Sequence, residues 1–149
     1  MTKEIVISVS NRTEKEFGNG IQSKLNKIAP FTLPAKVFKA YLELYLVENA
    51  EMQELNRERR GKDKPTDVLS FPLGNSINLP EILLGEVWIC LDELERQARE
   101  IGHSEEDEFD RLLVHGYLHL IGFDHELGER EAREMQEMED RCMNCFDEP

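Results

Sequence analysis

The sequence has few cysteines and no long hydrophobic run. Its three cysteines, Cys90, Cys142 and Cys145, cannot all pair within one chain, which is unlike the disulfide framework of a small secreted domain. Nowhere is there a run of about 18 apolar residues, the length that a transmembrane helix needs. The N-terminal MTKEIVISVSNR lacks a long apolar stretch followed by a small-residue cleavage site. We therefore expect a cytoplasmic protein that does not enter the membrane.

Positive charge is also scarce. The chain has 18 Lys and Arg against 31 Asp and Glu, which gives a formal net charge of −13. This excess opposes non-specific binding to nucleic acid, because such binding is largely an electrostatic attraction to phosphates. Five of the 18 basic residues nevertheless lie in the segment RERRGKDK, residues 57–64. Any nucleic-acid site must be local, and this segment is its candidate.

The 149 residues are about the length of one domain, and no repeat, low-complexity tract or Gly/Ser linker divides them. Alternating apolar residues predict strands at 3–9, 41–47, 67–71 and 85–91. Helical periodicity predicts helices at 15–28, 49–55, 92–101, 104–121 and 129–143, with loops at 60–67 and 74–82. Pro30 should end the first helix, Asn49 should cap the second, and Ser104 and Gly122 should cap the fourth. We predict a single α+β domain over residues 1–149, with a small four-stranded mixed sheet and one layer of about five helices.

Three of the four histidines lie within the segment HGYLHLIGFDH, at His115, His119 and His125. His115 and His119 are four residues apart on a predicted helix and therefore share one face. Gly122 allows the chain to turn back after the helix and to bring His125 to the same point. Three imidazoles without an obvious fourth ligand are typical of a catalytic zinc that keeps one position for water. The pattern predicts one Zn²⁺ per chain, although such a site also accepts other first-row ions.

The same spacing occurs in metzincin proteases, whose pattern is H-E-x-x-H-x-x-G-x-x-H. Gly116 stands where that pattern has the glutamate that acts as general base, so peptide hydrolysis by that mechanism lacks its proton carrier. Asp124 is a neighbour of His125, and we expect it to fix an imidazole tautomer rather than to bind the metal.

Other residue patterns favour structural roles. We expect His103 to contact the start of the histidine helix, away from the cluster. Cys142 and Cys145 form a lone C-x-x-C, which has too few partners for a zinc site and reads as two helix-end thiols. The acidic segment 126–140 is expected to be a solvated helix face, although a basic ribosomal partner could use it. Met135, Met138 and Met143 of the same helix are expected to pack in the core or against a partner.

Three segments resemble the YbeY family of bacterial endoribonucleases: LNRERRGKDKPTDVLSFP from Leu55, LLGEVWICLDE from Leu83, and RLLVHGYLHLIGFDH from Arg111. The resemblance implies an α+β fold, zinc on the three histidines and single-strand-specific RNA cleavage. It further implies a role in maturation of the 16S ribosomal RNA 3′ end and in ribosome quality control. The Era GTPase and a small-subunit ribosomal protein are the partners that it suggests. By motif position the functional arginine of the family falls on Arg60, and we assign catalytic roles to Arg60 and His115.

Arginine is chemically suited to this role. Its guanidinium can hold a phosphate with two hydrogen bonds and can stabilise the charge that grows when a phosphodiester is attacked. The alternative for Arg57, Arg59, Lys62 and Lys64 is an ordinary solvated loop, and for Thr66 and Asp67 it is structural capping. Two other functions stay open: a zincin-like metallopeptidase or amidase, and a non-catalytic ribosome-assembly factor with a structural zinc.

Overall fold

The computed structural model describes residues 2–73 and 79–148. In chain order the elements are β1 (Glu4–Asn11), α1 (Ile21–Thr32), β2 (Lys39–Val47), α2 (Asn49–Arg60), β3 (Val68–Pro72), β4 (Glu81–Cys90), α3 (Leu91–Ile101), α4 (Glu105–Leu120) and α5 (Glu129–Phe146). This confirms the predicted α+β class. Residues 74–78 of the predicted loop lie outside the described residues, and the last two residues of that loop, Glu81 and Ile82, belong to β4 instead. No helix in the described ranges is long and apolar enough to cross a membrane.

The four strands form one mixed sheet in the order β1-β2-β4-β3. The β1–β2 and β2–β4 pairs are parallel, whereas β3 runs antiparallel to β4. Both outer strands are therefore edges. On β1, the side chains of Asn26 and Gln22 from α1 accept the backbone N–H groups of Ile5 and Ile7, at 2.9 and 3.1 Å. The β1 edge is thus covered, and β3 forms the open edge of the sheet.

The two faces of the sheet are covered unequally. Alternate residues of the strands, such as Leu44 and Ile89, pack with α1, α4 and α5 into the main core. Their neighbours in sequence point the other way, where Trp88 and Leu69 pack with Met52 of α2 in a smaller cluster. Helices α1, α4 and α5 therefore form one layer, and α2 lies on the opposite face.

Helix α1 differs from its prediction at both ends. It begins at Ile21 rather than at residue 15, because Gly18 and Gly20 have φ values of 90° and 70° and interrupt the helical backbone. Pro30 lies inside the helix and does not end it. The helix tolerates this proline near its C-terminal end, where the N–H of Leu33 still bonds to the carbonyl of Ala29 at 3.1 Å.

Helix α2 is longer than predicted and is capped differently. It continues to Arg60 and ends at Gly61, whose φ is 69°, so the arginines of the basic segment lie in its last turn. Positive charge is favourable there, because it faces the negative end of the helix dipole. The prediction that Asn49 caps this helix was wrong. Glu48 occupies the N-cap, and the side chain of Asn49 accepts a hydrogen bond from the Cys90 thiol at 3.1 Å.

Candidate active site

The three predicted ligands meet at one point. His115 and His119 lie one turn apart on α4, and His125 follows the turn after the helix. One ligand atom from each imidazole lies within 4.8 Å of the others. The ring centroid of His115 lies 4.7 Å from that of His119 and 5.3 Å from that of His125, and the centroids of His119 and His125 are 5.2 Å apart. Within the described ranges no fourth Cys, His, Asp or Glu joins this group, so the arrangement is that of an open three-imidazole site.

The turn between α4 and His125 has the conformation that Gly122 predicts. The N–H of Gly122 bonds to the carbonyl of His119 at 3.2 Å, and the N–H of Phe123 bonds to the carbonyl of Leu118 at 3.0 Å. This pair of bonds is the Schellman motif, which needs a left-handed residue after the helix. Gly122 supplies it with a φ of 112°. At the other end of α4, the Ser104 side chain accepts the N–H of Asp107 at 3.0 Å, which confirms the predicted N-cap.

The imidazoles suit a borderline-soft divalent ion. Burial lowers the pKa of His119, and the neighbouring His115 and His125 lower it further. A neutral ring keeps one nitrogen lone pair, which is what a metal requires. Three imidazole donors suit zinc and several other first-row metals. The residues present therefore fit the expected ion, and the donor set does not select zinc alone.

Glu139 of α5 is a member of the site that sequence reasoning missed. Nδ1 of His115 and Oε1 of Glu139 are hydrogen-bonded at 2.5 Å, and Glu139 is only 7% exposed. The structure gives this contact to Glu139 rather than to Asp124, whose carboxylate accepts the N–H of Glu126 at 2.9 Å. The expectation that the acidic residues of this helix form a solvated face is wrong at Glu139. A signal existed, because Glu139 interrupts a helical row of buried residues that includes Met135 and Cys142.

A cavity of about 480 Å³ joins the histidines to the basic segment. Its lining includes Arg60, Ser70, Arg111, His115, His119 and His125. The three arginines of the last turn of α2 differ in their partners. Arg57 forms an ion pair with Glu54. Nη1 of Arg59 lies 3.1 Å from Oε1 of Glu86, and its guanidinium carbon lies 4.5 Å from the centroid of the Phe71 ring. Among the residues that the structure describes, Arg60 has no carboxylate partner, and it is the arginine of this turn that lines the cavity.

Arg111 is a second cation of the cavity that sequence reasoning missed. Its Nε and Nη2 donate to the two oxygens of Glu108 at 2.9 and 2.6 Å, and Glu108 is fully buried. His103 contacts the same carboxylate at 2.8 Å, which places it at the start of α4, as expected. Arg111 precedes His115 by four residues on α4. That spacing puts the two side chains on one helix face and could have pointed to Arg111.

The open edge of β3 forms part of the cavity wall. The carbonyl of Asp67 and the N–H of Leu73 form hydrogen bonds with β4. Along an antiparallel strand, the backbone groups of successive residues point alternately toward the partner strand and away from it. The backbone groups of Val68, Ser70 and Pro72 therefore point away from the sheet. The Asp67 carboxylate accepts the N–H of Val68 at 2.7 Å, and Pro72 has no N–H. The Ser70 N–H is therefore the outward N–H of β3 that has no hydrogen-bond acceptor within residues 2–73 and 79–148. Ser70 also lines the cavity.

Gly116 and the cysteines have structural roles. A Cβ on Gly116 would lie 2.8 Å from Cγ1 of Val87, so close packing of α4 on the sheet requires a glycine there. The Asp67 carboxylate, which also lines the cavity, accepts hydrogen bonds from the Thr66 hydroxyl and the Gln97 amide at 3.3 and 3.1 Å. Burial raises the pKa of Cys142 to about 12, and this thiol lies in the main core.

The profile of the family described as Endoribonuclease YbeY matches residues 5–147 of this chain. The chain belongs to the YbeY family. The Endoribonuclease YbeY of Leptospira interrogans is 51% identical, in a match that covers 70% of this chain and 86% of that protein. The Endoribonuclease YbeY of Aquifex aeolicus is 47% identical, with 83% of this chain and 82% of that protein covered. These matches confirm the resemblance seen in the three motif segments.

A solved structure also resembles this chain. The solution structure of a Thermotoga maritima protein is 30% identical in sequence and superimposes with a TM-score of 0.65. The match covers 95% of this chain and 88% of the other. The helices and strands that build the cavity therefore belong to a fold shared along almost the whole length of both chains.

Proposed function

We propose that this chain is a metal-dependent endoribonuclease that cleaves single-stranded RNA, with residues 1–149 acting as one catalytic domain in the cytoplasm. Its relatives carry the name endoribonuclease. The family resemblance points to the 3′ end of the 16S ribosomal RNA precursor and to defective ribosomes as substrates. The Era GTPase and a small-subunit ribosomal protein are candidate partners on the same grounds.

The observation that carries this proposal is the shared cavity. Three imidazoles that can hold one ion and an arginine without a carboxylate partner line the same 480 Å³ space. His115, His119 and His125 would hold the ion, which we take to be zinc. A divalent ion held there supplies Lewis-acid chemistry at a phosphodiester. The remaining work of binding and orienting the RNA falls to the residues of the chain.

Arg60 is placed to bind the scissile phosphate. Its guanidinium is exposed and unpaired in the described chain, so binding RNA does not require it to break an ion pair first. It can hold two phosphate oxygens at once and stabilise the charge that develops on them. Arg111 differs, because Glu108 already occupies Nε and Nη2. Arg111 therefore acts as a fixed positive charge in the lining of the cavity.

The Ser70 backbone can orient the RNA strand. Backbone N–H groups are frequent donors to phosphate oxygens in nucleic-acid complexes. An N–H on a strand edge is held rigidly by the rest of the sheet, so it can fix where the RNA backbone lies relative to the histidines. A local contact of this kind suits a chain whose net charge of −13 opposes non-specific binding of a long polyanion.

The peptidase alternative is disfavoured by Gly116. Its Cα faces Val87 of β4 so closely that no side chain fits there without displacing the valine. The general base of the metzincin pattern therefore has no equivalent at this position. The assembly-factor alternative predicts a metal that supports the fold and an RNA that binds without being cut.

A side-by-side assay tests the proposal. The purified protein with zinc is offered an end-labelled single-stranded RNA from the 3′ region of the 16S precursor, the same RNA annealed to its complement, and casein. We expect the single-stranded RNA to be cleaved, the duplex to be spared and the casein to stay intact. A chelator should stop the cleavage and added zinc should restore it. Casein hydrolysis, or RNA binding without cleavage at any metal concentration, would contradict the proposal.

A further inference from the structure

We infer that Glu139 is a positioning residue of the metal centre. It holds His115 in the tautomer whose Nε2 is free to bind the ion, and it thereby makes the C-terminal helix α5 part of the metal site. This inference rests on the proposed metal site and adds a component to it. The deciding observation is the hydrogen bond between Nδ1 of His115 and Oε1 of Glu139 at 2.5 Å.

The tautomer follows from the chemistry of the two partners. An ionised carboxylate only accepts hydrogen bonds, so the proton of this contact belongs to Nδ1 of His115. A neutral imidazole that carries its proton on Nδ1 has its lone pair on Nε2. In the other tautomer the proton would sit on Nε2, where it would face the ion and block coordination. Glu139 thus selects the form of His115 that binds metal before any metal arrives.

The burial of Glu139 shows that the contact is built into the fold. Glu139 is 7% exposed and lies in one row of α5 with Met135, Cys142 and Phe146, all of which are buried. A carboxylate in such a row is costly unless it is hydrogen-bonded or paired. His115 supplies the hydrogen bond. The pKa of Arg111 is raised, chiefly by its hydrogen bonds to Glu108 and in part by the negative charge of Glu139, so a positive charge also lies nearby.

The other two ligands differ from His115 in their contacts, since His119 meets the backbone of Phe123 in the turn that follows its own helix. In the described part of the chain no side-chain carboxylate is hydrogen-bonded to His119 or to His125. His119 is fixed by its place on α4, and His125 depends on the turn at Gly122. His115 is therefore the ligand whose ring orientation is set by a separate element. The loss of Glu139 should act on metal binding through this one ring.

Substitution of Glu139 tests the inference on metal affinity rather than on catalysis. The full-length variants Glu139→Gln and Glu139→Leu are compared with Glu137→Gln and Glu137→Leu, which change an exposed glutamate of the same helix. Zinc affinity is measured by competition with a chromogenic chelator. We expect Glu139→Leu to weaken zinc binding by about 10- to 100-fold, the usual effect of removing such a partner. Glu139→Gln should lie in between, since its amide oxygen can still accept the Nδ1–H, and both Glu137 variants should match the wild type.

The tautomer itself provides a second readout. In metal-free protein, the ¹⁵N chemical shifts of the His115 ring should show the proton on Nδ1 in the wild type and a shift of population to the Nε2–H form in Glu139→Leu. Circular dichroism and the metal-free melting temperature identify variants that do not fold. If Glu139→Leu does not fold, Glu139→Ala, which also removes the acceptor, decides the question with the same two measurements.

Two results overturn the inference. They are wild-type zinc affinity and an unchanged His115 tautomer in a folded variant, such as Glu139→Leu, whose side chain at position 139 has no hydrogen-bond acceptor. Either result would leave the proposed function standing, provided that the wild-type protein binds zinc and cleaves RNA. Failure of the wild-type protein to bind any divalent ion would instead remove the metal site, and the role of Glu139 with it.

Discussion

The cavity has a histidine wall, formed by α4 and the turn to His125, and an arginine wall, formed by the end of α2 and by β3. The histidine wall is anchored in the main core: α4 packs on the sheet through Gly116, and α5 supports His115 through Glu139. The arginine wall lies at the open edge of the sheet, where Arg60 is exposed and the Ser70 N–H points away from β4. One wall is held by packing, and the other presents donors to solvent.

This difference assigns separate tasks to the two walls. Coordination needs ligand atoms fixed to within a fraction of an ångström before the ion binds, which a packed helix provides. RNA binding needs donors that a flexible polymer can reach, which an exposed edge provides. We therefore expect substitutions on the histidine wall to change metal affinity or stability. Substitutions on the arginine wall should change RNA cleavage while metal affinity stays constant.

The largest effect is expected from His119→Ala. It removes one of three ligands, so zinc affinity should fall by at least about 100-fold, beyond the effect of losing an outer partner, and RNA cleavage should be lost with it. Chelator competition and the labelled-RNA assay measure the two quantities. His103→Gln is the matched control, because His103 is the histidine that lies outside the cluster. Cleavage that survives in His119→Ala without bound metal would break the division between the walls.

Arg60→Ala should leave zinc affinity unchanged and lower kcat/KM for RNA by about 100- to 1,000-fold, as expected when a donor to developing negative charge is removed. Arg57→Ala, in which the lost arginine pairs with Glu54 outside the cavity, should retain nearly full activity. The comparison uses initial rates at several RNA concentrations. Equal losses in the two variants would mean that the basic segment acts only through its total charge.

A smaller effect is expected from Ser70→Pro, which removes the outward N–H of β3. Proline is tolerated at this kind of position, because the lost N–H takes no part in the β3–β4 ladder, as Pro72 already illustrates. A hydrogen bond to a charged group contributes about 1.5–3 kcal/mol, so kcat/KM should fall by roughly tenfold or more. Ser70→Ala keeps the N–H and should behave as the wild type. A wild-type rate in folded Ser70→Pro would exclude this backbone contact.

The histidine wall was largely predictable from sequence, because its signals are local. Helical spacing places His115 and His119 on one face, and Gly122 marks the turn. The arginine wall was less predictable from the sequence. The end of α2 has no apolar period after Leu55, so its continuation to Arg60 depends on helix propensity and on Gly61. The outward N–H of Ser70 depends on pairing with β4, which no local pattern encodes.

The start of α1 and the role of Glu139 also show that a local sequence pattern does not determine contacts between elements. Phe17 fits the apolar spacing of a helix, yet it lies before the glycines that interrupt the backbone and stacks on Phe109 at 5.6 Å. The pattern correctly identified a residue that packs against the core, but it predicted the wrong backbone conformation for it. Glu139 lies 24 residues from His115, so its contact depends on how α5 packs on α4. The burial of a residue can be predicted from the local sequence pattern, whereas its contact partners on other helices and strands cannot.

The smallest effect is expected where the histidine wall meets the sheet. Gly116→Ala would place a Cβ 2.8 Å from Cγ1 of Val87. Overpacking costs about 1–3 kcal/mol and the gain in helix propensity returns about 1 kcal/mol, so the free energy of unfolding should fall by about 1 kcal/mol. Urea denaturation of Gly116→Ala, Val87→Ala and the double variant isolates the contact. Because Val87→Ala removes the clashing methyl groups, the double variant should be more stable than the sum of the single losses predicts. Additive losses would mean that α4 is free to move away from the sheet, and the histidine wall would then owe its geometry to the metal rather than to the core.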